Sequence, residues 1–238
     1  MLLKNISKDI KRKKELKDLD DKFVLLRVKD YLKKNNLEIK EEDFKNRNKK
    51  YIKFFKDMRR ELRIVYGVFR NVKDKRSLES YKEIFSLIGK FNSLLDLGCG
   101  LNPLDYAKLN KNSKYYCGDV NVDEIKNINE YLKKNKIKGK GFIFDLIYDD
   151  LGKLPRVDVV FLFRVLESLE YYERNISKDI LKKLKSKLII VSFAKNVLSK
   201  RGNIRKKGRS WFRRILSELN YEYKDYDIEN EIFFVIRK

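Results

Sequence analysis

The sequence predicts an α/β fold: a seven-stranded, mostly parallel sheet with helices on both faces, preceded by a helical region. Three observations point there. Beyond residue 90, short apolar runs alternate with helix-like segments. The run Leu94-Leu95 leads through Asp96 into the turn Gly98-Cys99-Gly100, and a segment with Pro103 near its start follows. Before residue 90, apolar residues recur only at helical spacing. Alternating strands and helices imply a parallel sheet covered on both sides. A buried strand, a glycine turn and a helix in that order build a ligand cradle at the edge of such a sheet.

In chain order, Phe23, Leu26 and Leu32, with Val28 and Tyr31 nearby, suggest a first helix. Tyr51, Ile52, Phe54, Phe55, Met58, Leu62 and Val65 suggest a second, stopped at Gly67, and Tyr81, Ile84, Phe85 and Ile88 a third, ending before Gly89. Strands are expected at 94–97, 114–118, 141–144, 157–163, 187–193, 221–227 and 231–236. Runs such as VDVVFLF and KLIIVSF suit strands buried on both faces. Helices are expected at 103–110, 122–134, 167–185 and 209–219, and the two closely spaced last strands read as a hairpin. The pattern divides the chain into a helical part, 1–90, and an α/β part, 91–238.

Composition narrows the function. The chain has 238 residues, 58 basic and 35 acidic, for a net charge of +23. Residues 1–90 contribute 28 basic and 15 acidic residues and residues 91–238 contribute 30 and 20, so the excess is not a detachable tail. A field of this sign attracts polyanions, RNA first among them; a lysine-rich solvated surface is the bland alternative. No apolar run approaches the roughly 20 residues that span a bilayer, and the amino terminus lacks a secretory apolar core. A cytoplasmic protein without membrane attachment is therefore expected. Histidine is absent and cysteine occurs only at 99 and 117. This excludes Ser-His-Asp and Cys-His catalysis, a disulfide framework and a zinc site, and no metal is expected.

The cofactor residues follow from spacing. Gly98 and Gly100, flanking Cys99, are expected to turn their backbone N–H groups toward a ligand, with Asp96 holding an ammonium group or bracing the turn. Asp119 ends the next strand, about 20 residues on, where a carboxylate accepts from ribose hydroxyls; a helix N-cap is its alternative. Val120 follows it. Asp145 and Leu146 follow the third strand, suited to an adenine amine and ring, and Phe163 ends the fourth strand. The pattern Gly-Cys-Gly-Leu-Asn-Pro lacks the third glycine of the dinucleotide fingerprint, which favours S-adenosylmethionine over NAD.

At these residues the chain resembles the aminoglycoside-resistance 16S rRNA (guanine-N7) methyltransferases, the FmrO-like group of Rossmann-like class I S-adenosylmethionine-dependent methyltransferases. The likeness is carried by LLDLGCGLNPL at 94–104, GDVN at 118–121, FDL at 144–146, FLFRVLESLE at 161–170, VSF at 191–193, Arg201-Gly202 and NEIFFVI at 230–236. It implies methyl transfer to a guanine N7 in the decoding region of small-subunit rRNA, by a monomer working on rRNA or the small ribosomal subunit. The family's Lys in the fourth-strand motif is Arg164 here, and its Ser-Phe-Pro is Ser192-Phe193-Ala194. A tRNA or another rRNA position, or a ribosome-associated binding protein without turnover, are the other readings.

Guanine N7 carries an exposed lone pair, so transfer needs positioning and exclusion of water more than a base. Arg164 is the candidate for substrate positioning, through guanine O6 or a phosphate, with an ion pair to Glu167 or Glu170 as its structural alternative. The expected RNA contacts are Arg59, Arg60 and Arg63 in the helical part, and Lys195, Lys200, Arg201, Arg205, Lys206, Lys207 and Arg209 after the fifth strand. Trp211 and Phe212 read as core, with base stacking as the alternative.

Overall fold

The computed structural model describes residues 1–67, 76–195 and 209–238. They form two compact units. The first holds residues 1–67 together with Val120–Val122, and the second holds the remainder.

The first unit is helical. α1 (Leu2–Ile10), α2 (Asp21–Lys34), α3 (Glu41–Lys45) and α4 (Lys49–Leu62) surround one apolar core containing Ile6, Ile10, Val24, Phe54 and Met58. Asp20 and Asn48 start α2 and α4 by accepting the backbone N–H groups of Phe23 and Tyr51, the usual work of an N-cap. α4 does not run to Gly67 as one helix. It ends at Leu62 and passes into a π turn over Arg63–Gly67. Val120 lies in this unit, where its carbonyl accepts from the backbone N–H of Asp20 at 2.8 Å.

The second unit is built on β1 (Ser93–Leu97), β2 (Lys114–Asp119), β3 (Gly139–Ile143), β4 (Val159–Phe163), β5 (Leu188–Ala194), β6 (Glu222–Ile228) and β7 (Glu231–Arg237). The strand order is β3-β2-β1-β4-β5-β7-β6. β1 to β5 pair in parallel, and β7 is antiparallel to both β5 and β6. β6 and β7 form the expected hairpin. All five residues of β4 are buried. The sheet's two faces carry separate cores because side chains alternate along each strand. Leu95, Val160, Ile189 and Phe234 point to one face with α8 (Leu166–Tyr172), α9 (Ile176–Lys183) and α10 (Ser210–Glu218). Leu94, Phe161, Ile190 and Phe233 point to the other with α5 (Leu78–Ile88), α6 (Pro103–Tyr106) and α7 (Val122–Lys134).

Two expectations need correcting. The helix expected over 167–185 is broken, because Asn175 takes a left-handed φ of 68°. The Glu170 carboxylate stabilises the break by accepting the N–H groups of Asn175 and Ser177, both at 2.8 Å. The second is that α5, placed with the helical part by its periodicity, groups with the α/β unit. Tyr81, Ile84 and Ile88 of α5 are buried in the sheet's own core, so α5 belongs to the α/β unit. Among the described residues no helix is long and apolar enough to cross a membrane.

A fragment beginning at residue 72 should therefore unfold cooperatively, whereas one beginning at residue 91 should not. The shorter fragment loses three buried side chains worth about 1.5–3 kcal/mol each, a large share of a margin of about 5–15 kcal/mol. Thermal unfolding followed by circular dichroism distinguishes them.

Candidate active site

The carboxyl ends of β1, β2 and β4 lie side by side in the sheet, and β3 flanks β2. β1 delivers Asp96, which is fully buried. Its Oδ2 accepts from the hydroxyl of Tyr106 on α6 at 2.9 Å, while Oδ1 is buried with no hydrogen-bond partner. Burial pushes this carboxyl up to about 7, and the negative charge of Asp119 adds to the rise. The Tyr106 hydrogen bond and the positive charge of Arg76 offset only part of it.

The glycine turn follows. Gly98 and Gly100 take left-handed φ values of 68° and 52°, which glycine adopts without steric cost. A Cβ on Gly98 would stand 2.9 Å from Cγ2 of Val165, so the turns after β1 and β4 meet at a contact only glycine allows. A Cβ on Gly100 would meet no atom nearer than 3.9 Å. The expectation that both glycines aim N–H groups at a ligand is not met. Gly98 donates to the Gly118 carbonyl at 2.8 Å, and Gly100 donates to Oδ2 of Asp119 at 2.9 Å. Buried N–H groups require partners, and the end of β2 supplies them. Cys99 is a buried free thiol, like Cys117.

Asp119 thus has a structural duty, holding the turn through one oxygen. Asp145 heads a tight turn. Its Oδ1 accepts from the N–H of Ile147 at 3.0 Å, and its own N–H donates to Oδ2 of Asp149 at 2.8 Å. Leu146 is buried in the core on the α8–α10 face and Phe163 in the core on the opposite face, where it stacks on Phe161 with ring centroids 4.4 Å apart.

Arg164 departs from both partners considered for it. Glu167 pairs with Arg209 at 2.6 Å, and Glu170 caps the break before α9. Arg164 pairs with Glu231 of β7 at 3.0 Å. Its backbone is left-handed, φ 56°, with its N–H donating to the Ser192 carbonyl of β5 at 3.0 Å. A non-glycine residue held so costs of the order of 1–3 kcal/mol and persists only where its surroundings dictate it.

Glu231 is the hub of a buried network. Its Oε2 accepts from Arg76 at 2.7 Å and from the Ser192 hydroxyl at 2.6 Å. Arg76 also donates to Asn102, which accepts from Tyr81 as well, and its guanidinium lies 4.6 Å from the Phe163 ring centroid. Burial alone would raise the Glu231 carboxyl, but Arg76 and Arg164 hold it below its ordinary value. No motif marks Arg76 or this role of Glu231. The available signal is a lone acid opening the otherwise apolar strand EIFFVI.

The expected RNA contacts separate by environment. Arg59 donates to the carbonyls of Asp9 and Ile10, closing the end of α1, and lies 3.9 Å over the Phe55 ring. Arg63 pairs with Glu15, Arg60 pairs with Asp57 while remaining exposed, and Lys195 donates to the Glu229 carbonyl. Arg209 is buried, donating to the Ala194 carbonyl and pairing with Glu167. Lys200, Arg201, Arg205, Lys206 and Lys207 lie outside the described residues. Missing from the sequence reading are Lys49, Lys53 and Lys56. With Arg60 they follow steps of four, three and four along α4 and so share one exposed helical face. That spacing was open to view in the sequence.

A family profile described as ribosomal RNA methyltransferase (FmrO) matches residues 67–233. The 16S rRNA (guanine(1405)-N(7))-methyltransferase of Micromonospora echinospora is 29% identical over 164 residues, which cover 67% of this chain and 59% of that protein. The chain spans about three fifths of the length of the curated relatives it matches. Among solved structures, the 16S rRNA methyltransferase RmtF in complex with S-adenosyl-L-homocysteine has a TM-score of 0.78 at 17% identity, covering 99% of this chain and 98% of that one. The 16S rRNA methylase RmtB has a TM-score of 0.75 at 15% identity, covering 99% and 98%. At these identities the structural likeness is one of fold.

Replacing Glu231 by Gln should destabilise the protein by about 3–5 kcal/mol, because it leaves buried arginines without their counter-charge. Since the Glu231 carboxyl is held low, the stability it contributes is present at neutral pH and lost only as pH falls through its depressed folded value. Denaturant titrations of both proteins at pH 7 and in acid check the size and the sign.

Proposed function

The chain belongs to the FmrO ribosomal RNA methyltransferase family, and on that premise we propose that it methylates guanine N7 in small-subunit ribosomal RNA near the decoding region, with S-adenosylmethionine as donor. The observation that carries the donor assignment is the unpartnered Oδ1 of buried Asp96, beside a glycine turn where a Cβ on Gly100 would meet nothing nearer than 3.9 Å. An unmet buried acceptor is costly, and the ammonium group of an amino-acid moiety meets that need. The donor set fits the rest of the molecule: Asp119 for ribose hydroxyls, and Asp145 with Leu146 for the adenine. When bound, S-adenosylmethionine supplies a methyl group activated by a positively charged sulfur.

The protein's part is to position and to exclude water. Guanine N7 needs no proton removed before it attacks, in keeping with a chain that has no histidine. Arg164, anchored by Glu231 and Ser192, is the fixed cation for guanine O6 or a phosphate. Extruding a base from structured RNA costs a few kcal/mol, which many phosphate contacts offset. In the helical unit the exposed stripe Lys49, Lys53, Lys56 and Arg60 is suited to this, more than Arg59, whose guanidinium closes α1.

Methyl-labelled S-adenosylmethionine, offered with small subunits, naked rRNA or tRNA, should label the ribosomal substrate. Borohydride and aniline should then cleave at the modified guanine. Label in tRNA alone, or product resistant to cleavage, overturns the assignment. Lys53→Glu with Lys56→Glu should weaken RNA binding and reduce the salt slope by about 0.7–0.9 per lost contact, with cofactor affinity unchanged. Asp96 gives a signature in pH. Cofactor affinity should fall as pH drops through about 7, where Asp96 takes up a proton. Because its folded value is raised, the cofactor-free protein should lose stability as pH rises toward and through about 7. Asp96→Asn should remove both dependences, read by equilibrium dialysis and thermal melts across pH 5.5–8.5.

A further inference from the structure

A groove of about 670 Å³ lies among α8, α9 and α10, apart from the cofactor residues. That size falls within the range of small-ligand clefts, about 300–1,000 Å³. Its lining mixes acids, bases and aromatic rings, and the acids have internal partners. Glu167 pairs with Arg209, Glu170 caps the break before α9, and Glu218 pairs with Lys178 at 2.6 Å. The bases are different. Arg174 and Arg214 are exposed, and neither forms an ion pair within 4 Å among the described residues, the charge of Arg214 reaching Glu218 only from a distance. Tyr171, 68% exposed, and half-buried Trp211 complete the lining. Trp211 is held edge-on by Phe193 and Phe212, at centroid distances of 5.6 and 5.5 Å, so its indole is fixed in place.

We infer that this groove is a second RNA-binding site, taking an unpaired stretch of the substrate with its bases against Tyr171 and Trp211 and its phosphates on Arg174 and Arg214. The inference rests on the RNA-methyltransferase reading and adds to it a contact surface away from the reacting base. Aromatic rings interleaved with unpaired arginines are the chemistry of single-strand binding, tolerant of sequence because every base has a face to stack. An acidic peptide would satisfy the arginines and leave the rings unused. Position supports the choice as well: Glu167, at the groove's edge, lies in the first turn of α8, three residues after Arg164 in the chain.

Trp211 is the only tryptophan in the chain, so its emission reports on this groove alone. A ten-residue oligoadenylate RNA, titrated into the full chain, should quench that emission saturably, more weakly as salt rises. Arg174→Glu with Arg214→Glu should weaken binding at least tenfold and reduce the single-strand salt slope by about 1.4, the sum for two contacts. Tyr171→Ala should weaken it at least about fivefold, the low end for losing one stacked base. All three residues are well exposed, and cofactor affinity by dialysis should not change. Three results overturn the inference: oligoadenylate retained on a filter without quenching, binding unchanged in the double variant, or no binding at all. Equal quenching by polyphosphate or polyglutamate overturns it too, the latter in favour of an acidic protein partner. Failure of the methyltransferase reading is separable. If the double variant methylates small subunits with unchanged KM, the groove assignment falls and the activity stands. If no RNA is methylated while quenching persists, the activity falls and the groove remains.

Discussion

One buried carboxylate, Glu231, ties together segments far apart in the chain. Arg76 lies 155 residues before it, and Ser192 and Arg164 come from β5 and the end of β4. Burying ions is expensive, and a well-packed apolar replacement is often as stable. What an apolar replacement does not do is set direction. The bonds from Glu231 fix two guanidiniums and, through Arg164, a left-handed backbone exactly where β4 leaves the sheet. The ends of β4, β5 and β7 therefore have one geometry, and Val165, next in chain, is brought against Gly98. The cradle at the end of β1 depends on that contact.

Asp96 shows the opposite economy. Its neighbour Asp119 uses an oxygen to hold the glycine turn, whereas one oxygen of Asp96 stays buried without a partner. Such an atom weakens the fold, and under the proposed function it is the demand that the donor's ammonium group meets. A carboxyl raised to about 7 belongs to the same description, since burial penalises its charge until an opposite charge arrives. The turn is rigid through its own backbone bonds, and its unmet demand lies in the side chain.

Most of the fold was legible because its signals are local. β4 and β5 are apolar without interruption, α7 follows its expected limits of 122–134, and Gly98 and Gly100 stand where left-handed backbone is required. The misjudged features rest on distant partners. The break at Asn175 depends on Glu170 supplying acceptors to the next helix, and a continuous apolar pattern conceals it. The place of α5 depends on which core Tyr81 and Ile84 enter, and periodicity predicts a buried face without naming the neighbour. The site divides in the same way. The ends of β1 and β2, where Asp96 and Asp119 stand, were legible from the glycine turn and from the distance to the next strand. Arg76 was not, since its partners lie across the sheet, and the partner of Arg164 was sought nearby in the chain, at Glu167 or Glu170, when it lies on β7.

The basic charge, read as one quantity, conflates two populations. Arg76 and Arg209 are buried against acidic partners, and Arg59 closes a helix end through carbonyl oxygens. These guanidiniums work inside the protein, where a planar, permanently charged fork with several donors is well suited. On α4, the exposed Lys49, Lys53 and Lys56 carry hydrated point charges along a single face. A net charge of +23 therefore overstates what a polyanion meets in the arginines and understates the order of the lysines. Arg174 and Arg214 are the exception that sharpens the rule. They are exposed arginines whose acidic neighbours have other partners, and they line a groove with two aromatic rings. A guanidinium kept at such a surface retains donors for a phosphate, a role its buried counterparts have given to Glu231 and Glu167.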